Sequence, residues 1–99
     1  MPSLPMPIRS IYLAPRWFRD LCISRFVQAN ETYGDLWAHM PGMDVETIEE
    51  MADVSNYADF ARERGAPLLA VWFIQFTAGI QAMVANRWFK DLPALEETA

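Results

Sequence analysis

Residues 66–89 read APLLAVWFIQFTAGIQAMVANRWF, and this stretch decides the fold. No charged residue lies between Arg64 and Arg87, a run of 22 residues. At about 1.5 Å per residue, a helix of this length spans roughly 33 Å, which is close to the hydrocarbon thickness of a bilayer. Arg62 and Arg64 precede the run, and Arg87 and Trp88 close it, as cations and aromatic residues do at the ends of membrane spans. The sequence therefore predicts a single transmembrane helix at about 66–89.

A second interpretation of the same stretch stays open. Gln75, Thr77, Gln81 and Asn86 dilute its hydrophobicity, and the central helix of a small soluble helical bundle can be equally apolar. Both interpretations belong to the all-α class. Lipid surrounds the helix in the first interpretation, and the remaining helices of the bundle surround it in the second.

The predicted helix has side chains of different size on its two faces. At 100° per residue, one face carries mainly small residues at alternating spacings of four and three. We predict that this is a helix-docking face, because small residues let helices approach closely in lipid. Its members are Val71, Gln75, Ala78, Gly79, Ala82 and Ala85, with Asn86 at the edge. The opposite face carries Leu69, Trp72, Phe73, Phe76, Ile80, Met83 and Val84, which we assign to lipid or pigment. In a soluble bundle the bulky face would be buried instead.

The remaining sequence is divided into further segments of what we treat as one unit. Residues 1–14 form a proline-rich arm that we expect to be extended, because Pro restricts its own backbone and that of the preceding residue. Residues 15–30 predict a basic, aromatic helix that begins near Pro15. Residues 44–64 predict an acidic amphipathic helix, and residues 90–99 predict a short acidic tail.

Two helix ends and one loop are also indicated by the sequence. Asp44 is a plausible N-cap of the acidic helix, and Gly65 suits the position just after its C-terminus. Residues 30–42 read as a loop with one helical turn, at about 35–39. One face of the acidic helix is mostly apolar; it carries Val45, Ile48, Met51, Ala52, Ser55 and Ala58.

Arginine and tryptophan residues near both ends of the chain predict contacts with the membrane interface. In the first helix they alternate with bulky apolar residues, a pattern typical of helices that lie on anionic headgroups. A packed helix of a small bundle, with its Arg side chains reaching solvent, explains the same pattern. The predicted interfacial residues are Arg16, Trp17, Arg19, Arg25, Arg87 and Trp88.

Charge is distributed unevenly along the chain, whose net charge is −5. Residues 1–30 carry +3, residues 31–65 carry −7 and residues 66–99 carry −1. The basic part holds too few Arg residues to follow a phosphate backbone, so we expect no nucleic acid as a partner. The partners that we expect are lipid and other membrane subunits. Six of the eight Lys and Arg residues precede the predicted span, which favours a single-pass protein with its N-terminus on the cytoplasmic or equivalent side.

Catalytic and metal chemistry have few candidate residues. His39 is the only histidine and Cys22 the only cysteine, so we expect no enzyme activity and no metal site. The chain alone needs no cofactor, but chlorophyll-type pigment, carotenoid or lipid could bind within a complex. Side chains that could reach such a pigment are His39, Gln75, Gln81 and Asn86, although a Gln that bonds one helix to another is the simpler explanation.

These observations predict a function in binding. The first hypothesis is a small accessory subunit that stabilises a larger membrane complex through helix docking and surface contacts. A photosynthetic or respiratory assembly is the natural class of host, by analogy alone. The alternative is a soluble all-α protein-interaction module.

Overall fold

The computed structural model describes residues 14–34 and 36–94, and all regular structure within these ranges is helical. The predicted all-α class is therefore confirmed. In chain order the helices are α1 (Arg16–Tyr33), α2 (Leu36–His39), α3 (Met43–Glu63) and α4 (Leu68–Trp88). Most of the proline-rich arm predicted at 1–14, and the end of the acidic tail at 95–99, lie outside the described residues.

The chain divides into two compact units, residues 1–39 and residues 40–99. The first unit contains α1 and α2. Helix α1 begins after Pro15, whose carbonyl oxygen accepts hydrogen bonds from the backbone N–H groups of Phe18 and Arg19, both at 3.0 Å. It continues to Tyr33, beyond the predicted end at residue 30, and stops where Gly34 adopts a φ of +64°.

The second unit begins with a helix start that differs from the prediction. We predicted Asp44 as the N-cap of α3, but the cap is Gly42, in the left-handed conformation with a φ of +79°. The carbonyl oxygen of Gly42 accepts a hydrogen bond from the N–H of Glu46 at 3.0 Å. Asp44 and Glu46 instead lie in the first turn, where the positive end of the helix dipole stabilises carboxylates.

Helices α3 and α4 are joined by a short turn with a Schellman motif. The N–H of Gly65 donates to the carbonyl of Arg62 and the N–H of Ala66 donates to that of Ala61, both at 3.0 Å. Gly65 has a φ of +96°, so its place after the helix agrees with the prediction. Pro67 then caps α4, and its carbonyl oxygen accepts from the N–H of Val71 at 3.1 Å.

The turn folds α3 and α4 into an antiparallel hairpin with a thin core. The buried apolar residues are all small: Ala58 on α3, and Val71, Ala78 and Ala85 on α4. Two helices share one contact surface, so each can bury only one stripe of side chains. The large apolar side chains of α4 consequently lie outside this core.

Helix α4 is the candidate membrane span within the described part of the chain. It has 21 residues and is apolar enough to cross a bilayer, and most of its surface is exposed. Its bounds fall one or two residues inside the predicted 66–89. Length and composition alone support the span.

Candidate helix-docking surfaces

The small-residue face of α4 lies against α3 of the same chain. Val71, Ala78 and Ala85 on this face are at most 3% exposed, and Ala82 is half-buried. Gly79 is exposed, and a Cβ atom built on it would meet nothing within 4 Å. The close approach of the helices therefore depends on the alanines rather than on Gly79. Docking of this face on another subunit stays a prediction, and the structure provides a partner for it within the chain.

Gln75 makes the polar contact between the two helices. Its side-chain Nε2 donates to the carbonyl oxygen of Ser55 at 3.2 Å and to Oδ1 of Asp59 at 2.8 Å. Both acceptors belong to α3, so the amide fixes the relative position of the helices along their axes. The sequence predicts Gln75 for helix docking on another subunit and for pigment contact, and both stay predictions; in the structure the side chain bonds α3 of the same chain.

A shallow groove runs beside this contact, towards the C-terminal half of α4. Its volume is about 200 Å³ and its walls are mostly apolar. It is lined by Ile48, Met51, Ala52 and Ser55 from α3, and by Gln75, Ala78, Gly79 and Ala82 from α4.

The face of α4 that points away from α3 carries a row of large apolar residues, which we call the outer seam. Its members are between 45% and 78% exposed. They are spaced alternately by four and three residues, the spacing of the a and d positions of a heptad repeat. The outer seam consists of Leu69, Phe73, Phe76, Ile80 and Met83, with Trp72 and Val84 exposed at its sides.

Carboxylates cover the opposite side of the hairpin. Glu46, Glu49, Glu50 and Asp53 are exposed on α3. At 100° per residue they lie roughly opposite the residues of α3 that contact α4. The hairpin thus has an acidic side formed by α3, on which Tyr57 and Phe60 are also exposed, and an apolar side formed by α4.

The four residues predicted to contact pigment do not share one surface of the hairpin. His39 belongs to α2, in the first unit, and is half-buried there. Gln75 is held by α3, and Gln81 and Asn86 are exposed on α4. Within residues 14–34 and 36–94, no group of three or more His, Cys, Asp or Glu side chains could hold a metal ion.

The predicted interfacial residues lie at the ends of helices or on exposed surface. On α1, Trp17 is 69% exposed and its ring packs edge-on against Phe18, with centroids 5.7 Å apart. Arg16 forms an exposed ion pair with Asp20 at 4.0 Å, Arg19 is half-buried and Arg25 is exposed. At the end of α4, the guanidinium of Arg87 lies 5.5 Å from the centroid of the Trp88 ring.

Two features of the sequence favour α3 as the helix that covers the small-residue face, although neither led to that prediction. One face of α3 is mostly apolar, with Ile48, Met51 and Ala52 beside Ser55. Only residues 64–67 separate the two helices, a length typical of antiparallel neighbours.

No protein-family model matches this chain, and neither a curated protein nor a solved structure matches it.

Proposed function

We propose that the chain is a small helical subunit that stabilises a larger membrane protein complex by binding. The single observation that carries the proposal is the exposed outer seam, on a helix of 21 residues whose only charged residue is Arg87. An apolar surface of this extent marks a contact with lipid or protein, because soluble monomers rarely leave so much exposed. By analogy, the host is a photosynthetic or respiratory assembly.

Insertion of α4 requires α3 to leave it. Placing Glu49, Glu50 and Asp53 near the bilayer centre would cost about 2.5–3.5 kcal/mol for each acid. The contact between the helices is small by comparison, since it buries three alanines and one valine and adds the two hydrogen bonds of Gln75. Those bonds contribute about 0.5–1.5 kcal/mol each. Opening the hairpin is therefore cheaper than moving the acids into lipid, and α3 then lies at the membrane surface.

The basic residues give the proposed subunit an orientation. Helix α1, with Trp17 exposed beside Arg16, lies at the interface and binds anionic headgroups. The N-terminal side carries six Lys and Arg residues against two after the span, which favours the N-terminus on the cytoplasmic or equivalent side. Protease added to right-side-out vesicles should then cleave only the C-terminal end. Cleavage of the N-terminal region alone would contradict this orientation.

Carbonate washing of membranes tests the proposal itself. We expect the full chain to stay in the membrane pellet and, after extraction in mild detergent, to co-purify with other membrane subunits. Recovery of the chain in the carbonate supernatant would contradict the proposal. A chain that resists carbonate and purifies alone would support the membrane location and contradict the role in a complex.

The closed hairpin favours a second candidate function, that of a soluble all-α protein-interaction module. Its specific support is that α3, which packs alongside α4, has an exposed acidic side that suits water. In this candidate α4 binds a partner protein through the outer seam while α3 stays in place. Recovery in the soluble fraction as a stable complex with a protein partner would favour it over the membrane subunit.

A further inference from the structure

We propose that the outer seam of α4 binds the outer seam of a second copy of this chain. The proposal deepens the proposed function by naming a partner. It rests on that function only in taking the outer seam as a binding face, and it needs no particular surroundings. The pairing can form in a bilayer, or in water between two closed hairpins.

The side chains of the outer seam suit contact with a second helix. Large residues recur from Leu69 to Met83 at the heptad spacing that places them along one line of contact with another helix. Gly79 and Thr77 lie beside this line, so the bulk is concentrated on the seam itself.

The outer seam can pair with itself about its midpoint. Phe76 is seven residues from both Leu69 and Met83, so it meets the Phe76 of a second copy whether the helices run parallel or antiparallel. Such a contact is isologous, the type that closes a dimer. A chain of net charge −5 repels its own copies, and pairing therefore needs a face without acids. No acidic residue occurs in α4; the exposed Glu46, Glu49, Glu50 and Asp53 of α3 lie on the other side of the hairpin, and Asp59 is bound by Gln75 at the contact between the helices.

The exposed area is sufficient for a stable dimer. From the exposed fractions, the seam with Trp72 and Val84 presents on the order of 800 Å², about what each partner contributes to an interface of standard size.

Disulfide trapping at the midpoint tests the pairing in the full chain. Cys22→Ser removes the native thiol, and Phe76→Cys then places a single thiol at the centre of the seam. We expect mild oxidation of the purified protein to give a covalent dimer, because disulfides form where two Cα atoms come within about 7 Å. The matched control, Gln81→Cys in the same background, is exposed on another side of α4 and should give about tenfold less dimer. Equal trapping at both positions, or none at Phe76→Cys, would overturn the proposal.

A second measurement, of the mass of the protein in solution, tests the pairing even if Phe76→Cys disturbs the helix. Light scattering, with any detergent contribution subtracted, should give the wild type twice the mass of the chain. Ile80→Glu should give a single chain, and Gln81→Glu should keep the dimer mass. A wild type that is monomeric at tens of micromolar contradicts the proposal, since a standard interface holds at that concentration. Carbonate washing is independent of this mass, so failure of the dimer and failure of the membrane proposal are distinguished.

Discussion

Helices α3 and α4 have the same length and opposite surfaces. Each has 21 residues, but α3 carries eight charged side chains and α4 carries one. Helix α3 turns one mostly apolar stripe towards α4, of which Ala58 is buried, and its other faces carry carboxylates together with the exposed Tyr57 and Phe60. Helix α4 buries its small residues against α3 and still exposes its large ones. The thin contact thus leaves more large apolar side chains exposed on α4 than on α3.

The largest effect should come from placing a charge on the outer seam. Phe76→Arg should weaken membrane insertion by about 2.5–3.5 kcal/mol, the cost of an arginine near the centre of a span. Carbonate extraction of membranes measures this as a shift into the supernatant. Tyr57→Arg is the matched control, because Tyr57 is as exposed as Phe76 but lies on α3. Equal retention of both variants would contradict the membrane role of α4.

The next effect concerns the inner face. Ala78 is only 2% exposed against α3, so Ala78→Leu should destabilise the hairpin by about 1–3 kcal/mol through overpacking. Urea unfolding followed by circular dichroism gives the free energy of unfolding. An unchanged midpoint for Ala78→Leu would mean that α3 does not pack closely on this face.

A substitution at the neighbouring residue, Gly79, should raise the free energy of unfolding of the hairpin. Gly79→Ala should stabilise the hairpin by about 0.5–1 kcal/mol, because Ala restricts the unfolded chain and favours a helix. The new Cβ atom meets no neighbour within 4 Å, so no clash offsets the gain. A lower free energy of unfolding for Gly79→Ala would show that another surface already approaches this position.

An equally small effect should come from the hydrogen bonds between the helices. Gln75→Met removes the donor to Ser55 and Asp59 and should cost about 0.5–1 kcal/mol in total, the lower end of what two such bonds contribute, since both lie at a partly exposed contact. Gln81→Met is the control, on an exposed part of the same helix. The same urea experiment compares the two variants, and an equal response would exclude Gln75 as a stabilising contact.

The sequence predicts the helices of this fold better than it predicts their pairing. Local signals such as Pro15, Gly65 and the uncharged run that ends at Arg87 act within one or two turns, and the predicted helices there agree with the structure. Helix α1 is longer than predicted. Glu31, Thr32 and Tyr33 were expected in a loop, but they continue the helix, which ends only at Gly34.

The candidate docking surfaces could be predicted only in part, because the sequence signals within α4 are local. The alternation of small and large residues in α4 indicates which face permits close approach, but it does not identify the approaching helix. That identity depends on the fit between Ala58 and its neighbours on α3 and the small side chains of α4, which are distant in the sequence. Once α3 occupies that face, the bulky face becomes the one available to other molecules.

The two faces of α4 are separated most directly by photocross-linking of the purified full-length chain, in which the hairpin is closed. Benzoylphenylalanine is introduced at Phe76 in one full-length variant and at Ala82 in another, where the open groove leaves room for the probe. We expect Phe76 to give an adduct of twice the chain mass, and Ala82 to give cross-links to peptides of α3 without a change in mass. Higher-mass adducts from Ala82 together with none from Phe76 would contradict the assignment of the outer seam as the binding face.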